Sequence, residues 1–209
     1  MTTPPVDARV VTGSRQVPVP ESGDPAPVEG LHVLFTRDEV LEGIERIADD
    51  MAQRFRDEPV VNIIPVMTGA LQFSAMLSFA LERRAPGKWL IAPIFAAAYA
   101  ADGDLVAPVI EFPARFEKRV EPGAPAVIVD DLLDSGTTMA ALATQLRERH
   151  LAPVHICVLI ERVRQRVADI RADFCAFHLD REDWLVGFGM DTGRRFRGFD
   201  AVYMREPEA

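Results

Sequence analysis

The chain has 209 residues, 48% apolar and 26% charged, which is ample material for one packed α/β domain and argues against wholesale disorder. Its 23 Lys+Arg against 32 Asp+Glu give a net charge of −9, a field that repels a phosphate backbone and disfavours nucleic-acid binding while leaving small phosphorylated ligands open. The longest uncharged run, residues 59–81, is broken by Asn62, Pro65, Thr68, Gly69 and Gln72, so no membrane helix is expected, and the absence of a basic start before an apolar block makes a cytoplasmic location the default expectation.

Residues 1–32 hold six of the 16 prolines and no sustained apolar period, which predicts a flexible arm ahead of one domain over 33–209. Thr36 with Glu39 three residues on predicts a capped helix, carried by Val40, Ile44, Ile47, Met51 and Phe55 at helical spacing. Residues 60–64 form a β-branched run suited to a buried strand. The Thr68-Gly69 break then leads into a helix with Leu71, Ala75 and Phe79 on one face. Residues 89–98 read as a strand and 99–123 as a long polar excursion. A strand over 126–129, a helix over 137–150, and strands over 154–160, 174–178 and 185–188 complete the order. Strand–helix alternation with continuously apolar strands predicts a mostly parallel central sheet with helices on both faces. Ligands of such sheets sit at the carboxyl ends of the strands. Cys157 and Cys175 read as buried free thiols, and His32, His150, His155 and His178 show no ligand spacing.

The segment from Ala126 to Thr138 carries the most chemistry. Four small or β-branched apolar residues end in the carboxylates of Asp130 and Asp131, and Asp134 opens a Ser135-Gly136-Thr137-Thr138 loop that runs into a helix. Small residues allow backbone N–H groups to close around an anion, hydroxyls add donors, and the helix start contributes free amides and the positive end of its dipole. Adjacent carboxylates suit Mg²⁺ or sugar hydroxyls rather than the phosphate itself. The segment therefore implies a ligand with a phosphate at one end and a diol or metal at the other. A receiver-type acidic pair or a plain capped turn would explain parts of it, but a receiver places its pair near the chain start.

This segment resembles the signature of the type I phosphoribosyltransferases, which bind 5-phosphoribosyl 1-diphosphate (PRPP). Three further segments resemble the hypoxanthine-guanine branch: Val33 to Val40, Pro65 to Phe73 with Thr68-Gly69, and Trp184 to Asp191 followed by Arg197. The resemblance implies that family's fold, with a small C-terminal hood region, and Mg²⁺-dependent transfer of the phosphoribosyl group from PRPP to hypoxanthine or guanine in purine salvage. It further implies a cytoplasmic homodimer or homotetramer.

It also implies roles. Asp130 and Asp131 would hold the ribose and its Mg²⁺ shell, and Asp134 would take a proton from the purine while bordering PRPP. Ser135, Gly136, Thr137 and Thr138 would bind the 5-phosphate, and Thr68, Gly69 and Arg197 the pyrophosphate. Asp191 would be a ligand of the second Mg²⁺ and border the base, and Trp184 and Leu185 would stack on and hydrogen-bond the base. Tyr99 falls on the family's mobile loop, although Ala98 stands where a serine is usual. Glu161 stands in the base subsite where the family has a donor lysine; an ionised carboxylate only accepts, so Arg162 or Arg164 would have to supply the donor. Thr68 likewise replaces a frequent Lys or Arg. These departures leave a second possibility, a non-catalytic PRPP-binding regulator of the same fold.

Overall fold

The computed structural model describes residues 9–11, 28, 30–97, 100–101, 104–105, 108–163, 170–180 and 182–205. In chain order these hold β1 (Arg9–Val11), β2 (Leu31–Phe35), α1 (Arg37–Arg54), β3 (Val61–Met67), α2 (Leu71–Arg84), β4 (Trp89–Ile91) and β5 (Ile94–Ala97). After them come β6 (Ala100–Ala101), β7 (Asp104–Leu105), β8 (Val109–Glu111), β9 (Ala126–Leu133), α3 (Thr137–Glu148), β10 (Val154–Arg162), β11 (Phe174–Leu179), β12 (Trp184–Val186) and β13 (Val202–Arg205). Among the described residues, no helix is long and apolar enough to cross a membrane.

The central sheet runs β1-β11-β10-β9-β3-β5-β8, with β4 beside the first half of β3. All of its pairings are parallel except β5 with β8. Its middle strands are apolar on both sides, as they must be with helices on each face: Val127 and Val129 pack under α1 and α2, while Ala126 and Ile128 pack under α3. α1 begins with the expected capping box, in which the Glu39 amide donates to Thr36 Oγ1 (3.3 Å) and the Thr36 amide donates to Glu39 Oε2 (3.0 Å). Such a cap contributes about 1 kcal/mol. Val40, Ile44, Ile47 and Met51 are buried beneath it, each contributing about 1.5–3 kcal/mol of apolar transfer.

Several elements differ from expectation. α2 turns Phe73, Leu77, Ala80 and Leu81 inward and leaves Leu71 and Phe79 exposed, so the Leu71–Ala75–Phe79 stripe is its outer face. The strand expected over 89–98 is interrupted at Ala92–Pro93, and the 99–123 excursion carries β8 and a buried Phe116. Arg9–Val11, within the stretch read as an arm, pairs in parallel with β11. A second, three-stranded antiparallel sheet, β12-β13-β2, joins the start of the domain to its end. Cys157 is buried, Cys175 is partly buried, and neither forms a disulfide.

Candidate active site

The β3–β9 ladder ends at Pro65 opposite Val129, whereas β9 continues beside β10 as far as Leu133. From this boundary the chain leaves β3 toward β4 and β5 on one side, and leaves β9 toward β10 and β11 on the other. Such a divergence opens a crevice at the carboxyl ends of the strands. A cavity of about 550 Å³ lies there.

Asp130 and Asp131 form its floor. The Asp131 backbone amide donates to Asp130 Oδ1 at 3.0 Å, which fixes the Asp130 carboxylate against the strand end. Burial, reinforced by the charge of Asp131, pushes the Asp130 carboxyl well above the usual carboxylate range. Burial likewise raises Asp131 to about 6, against the opposing pull of Asp130 and the Arg197 guanidinium. An acid raised in the folded state stabilises the fold below its unfolded pKa, and that contribution is lost as pH rises through about 4 to 6. Asp131→Asn is therefore expected to raise the stability of the ligand-free protein by about 1–3 kcal/mol at pH 7.5 and by little at pH 4. Thermal melts at the two pH values check this; a variant less stable than wild type at pH 7.5 contradicts it.

The backbone around the acids is closely fitted. A Cβ on Gly69 would lie 2.6 Å from Asp131 Oδ2, and one on Gly189 would lie 1.9 Å from the Gly69 carbonyl oxygen. Gly189 also has φ +107, where L side chains are strained. Gly69 follows a cis peptide between Met67 and Thr68. On the far side of the floor, the 134–138 loop turns through Gly136 at φ 80 into α3. Ser135 Oγ accepts from the Thr137 amide (3.4 Å) and donates to Thr137 Oγ1 (3.3 Å). The first amides of α3 have no partner within the helix, which makes this turn a donor-rich rim.

The roof comes from the C-terminal segment. Trp184 is 60% exposed, and its Nε1 donates to the Asp191 carbonyl at 3.0 Å. Arg197 bridges Asp191 Oδ1, 2.9 Å from its Nη2, and the Gly189 carbonyl, to which Nη1 donates. Gln72 Nε2 donates to the Arg197 carbonyl (2.8 Å), which anchors the roof to α2.

The fold and cavity now meet an independent observation: a family model described as the phosphoribosyl transferase domain matches residues 36–192. The chain belongs to the phosphoribosyl transferase domain family. Within it, the chain is similar to the hypoxanthine-guanine branch. It is 24% identical over 176 residues to the hypoxanthine-guanine phosphoribosyltransferase of Aquifex aeolicus (strain VF5), covering 84% of this chain and 95% of that protein. It is 23% identical over 171 residues to the hypoxanthine-guanine-xanthine phosphoribosyltransferase of Tritrichomonas foetus, covering 81% of this chain and 88% of that one. A solved structure of the Trypanosoma cruzi hypoxanthine phosphoribosyl transferase superposes with a TM-score of 0.78 at 21% identity, covering 88% of this chain and 95% of that one.

In this phosphoribosyltransferase fold, Thr68, Gly69, Asp130, Asp131, Asp134, Ser135, Gly136, Thr138, Trp184, Leu185, Asp191 and Arg197 line one cavity. Thr137 sits behind the rim on the first turn of α3. Tyr99 and Arg164 lie outside the described residues. Glu161 does not belong to the cavity, contrary to its expected place in a base subsite. It is buried, its Oε1 accepts from the Ala172 amide (3.3 Å), and its Oε2 lies 3.3 Å from His178 Nδ1. The wall position is filled instead by the next residue. Arg162 is 6% exposed, its Nη2 donates to the Asp183 carbonyl (2.6 Å), and its Nε lies 3.6 Å from Asp134 Oδ1. Successive side chains of a strand leave on opposite faces, so only one of Glu161 and Arg162 can reach the cavity. That alternation was present in the sequence as a signal. The contacts of Gly189 and Gln72 had none, because they depend on tertiary approach.

Proposed function

We propose that the protein transfers the 5-phosphoribosyl group of PRPP to a ring nitrogen of a 6-oxopurine, releasing pyrophosphate. The observation that carries this is the convergence, around one cavity, of the β9 acid pair, the 134–138 rim and the Trp184–Asp191–Arg197 roof. Breaking the C1–O bond develops positive charge on the ribose and negative charge on the departing pyrophosphate. The Arg197 guanidinium and the Gly69 backbone meet the pyrophosphate, and the rim amides and hydroxyls hold the 5-phosphate. The N–C1 bond forms as the base loses its proton to a carboxylate oxygen of Asp134, whose neighbour Arg162 fixes its position. Trp184 offers a ring face and Leu185 its backbone to the base.

Asp130, Asp131 and Asp191 supply hard oxygen donors, and a carboxylate pair raised by burial, Asp130 further by the charge of Asp131, fits a divalent ion such as Mg²⁺. When bound, that ion neutralises charge on the pyrophosphate. The proposal includes the oligomeric, cytoplasmic form that the family resemblance implies.

Arg162 is the specificity residue of this reading. A guanidinium only donates, so it favours a base edge carrying an oxo group over one carrying an amino group. A panel of hypoxanthine, guanine, xanthine and adenine with PRPP and Mg²⁺ tests both points. The 6-oxopurines are expected to release pyrophosphate and adenine is not. Arg162→Met should raise KM for the 6-oxopurines about tenfold or more, with Arg162→Lys recovering part of the loss. No turnover of any base would favour a PRPP-binding regulator and defeat the transferase reading.

A further inference from the structure

Glu161 departs from the family pattern, and its surroundings suggest a use for it. It stands opposite His178 in the β10–β11 ladder, and Cys175 joins them from the same strand as His178. A carboxylate oxygen, an imidazole nitrogen and the thiol sulfur of these three residues all lie within 4.8 Å of one another. The Ala172 amide holds Glu161 Oε1, which turns Oε2 toward His178 Nδ1. Backbone contacts of this kind orient ligating groups in metal sites. Cys175 Sγ donates to the Phe177 carbonyl at 3.0 Å; on binding a metal the thiol would release this proton to solvent and exchange that hydrogen bond for the sulfur–metal bond.

We propose that Glu161, Cys175 and His178 bind one zinc-class divalent ion, at a site separate from the acidic cavity. The donor set decides the ion. Sulfur and imidazole nitrogen select Zn²⁺ or Co²⁺ over Mg²⁺, which takes oxygen ligands and water. Three protein ligands leave a fourth tetrahedral position for water or another group. Zinc-to-ligand distances of about 2.0–2.3 Å place ligand atoms about 3.5 Å apart, so the cluster would close by about 1 Å on binding. Glu161 is 5% exposed and His178 only partly covered, so the site is shielded yet reachable. Because Arg162 follows Glu161 directly, a bound ion would pin the end of β10 from which Arg162 reaches the cavity.

The test uses full-length protein stripped by a chelator and titrated with Co²⁺ and then Zn²⁺. With excess Mg²⁺ present to fill the acidic cavity, the expected result is one equivalent bound with a thiolate-to-cobalt absorption band. Cys175→Ser should abolish the band and weaken Zn²⁺ binding at least tenfold, and His178→Gln should weaken it similarly. Cys157→Ser should leave both signals unchanged, and Asp191→Asn should leave the thiolate-to-cobalt band unchanged. Circular dichroism identifies any variant that fails to fold, and the other ligand variant then decides. Absence of the band, its survival in Cys175→Ser, or its loss in Asp191→Asn would overturn the proposal, leaving a hydrogen-bonded pair beside a packed thiol.

Discussion

Asp134→Asn is expected to lower kcat for phosphoribosyl transfer by about 10²–10⁴-fold while PRPP affinity changes little. The substitution keeps the shape of the side chain and removes its ability to take a proton. Asp134 lines the cavity beside the rim, with Oδ1 3.6 Å from Arg162 Nε. The groups assigned to the phosphate, namely the amides and hydroxyls of Ser135 to Thr138, are untouched. Steady-state kinetics with calorimetric PRPP titration separates the two effects. Undiminished kcat in the variant would place proton removal elsewhere. Parallel loss of PRPP binding would assign Asp134 to the rim rather than to the chemistry.

The largest effect expected away from the reacting groups is at Gly189. Gly189→Ala would put a methyl group 1.9 Å from the Gly69 carbonyl and 3.3 Å from Asp131 Oδ2, at a φ of +107. Neither the backbone of Gly69 nor the half-buried Asp131 carboxylate packed against it can yield cheaply, so the clash and the strain add. A loss of about 2–4 kcal/mol is expected, together with a PRPP affinity lowered about tenfold as Gly69 and Asp131 move apart. Gly198→Ala is the control: nothing lies within 4 Å of its added Cβ and its φ is ordinary, so it should be silent. Urea unfolding of both variants and PRPP titration check this. Equal stability of Gly189→Ala and wild type would mean that the roof is not packed against the Thr68-Gly69 turn as described.

The core of the site was legible because its chemistry is local. Asp130 to Thr138 spans a strand end, a turn and a helix start, and each demands particular residues at fixed spacing. The capped start of α1 was legible for the same reason. The second sheet was not, because β2 and β13 pair across most of the chain length and no local period announces it. Which face of α2 is buried was not legible, because Leu71, Ala75 and Phe79 satisfy a helical period as well as the buried Phe73, Leu77 and Ala80 do. Only the neighbouring α1 and sheet decide which stripe faces inward. Glu161 was placed in the base subsite by linear correspondence, whereas strand alternation gives that wall to Arg162.

A crystal structure with a purine nucleoside 5′-monophosphate tests the central claim most directly. The phosphate should lie against the Ser135–Thr138 amides, the ribose hydroxyls on Asp130 and Asp131, and the base between Trp184 and Arg162. A nucleotide seated elsewhere, with the crevice between β3 and β9 filled only by solvent, would contradict it.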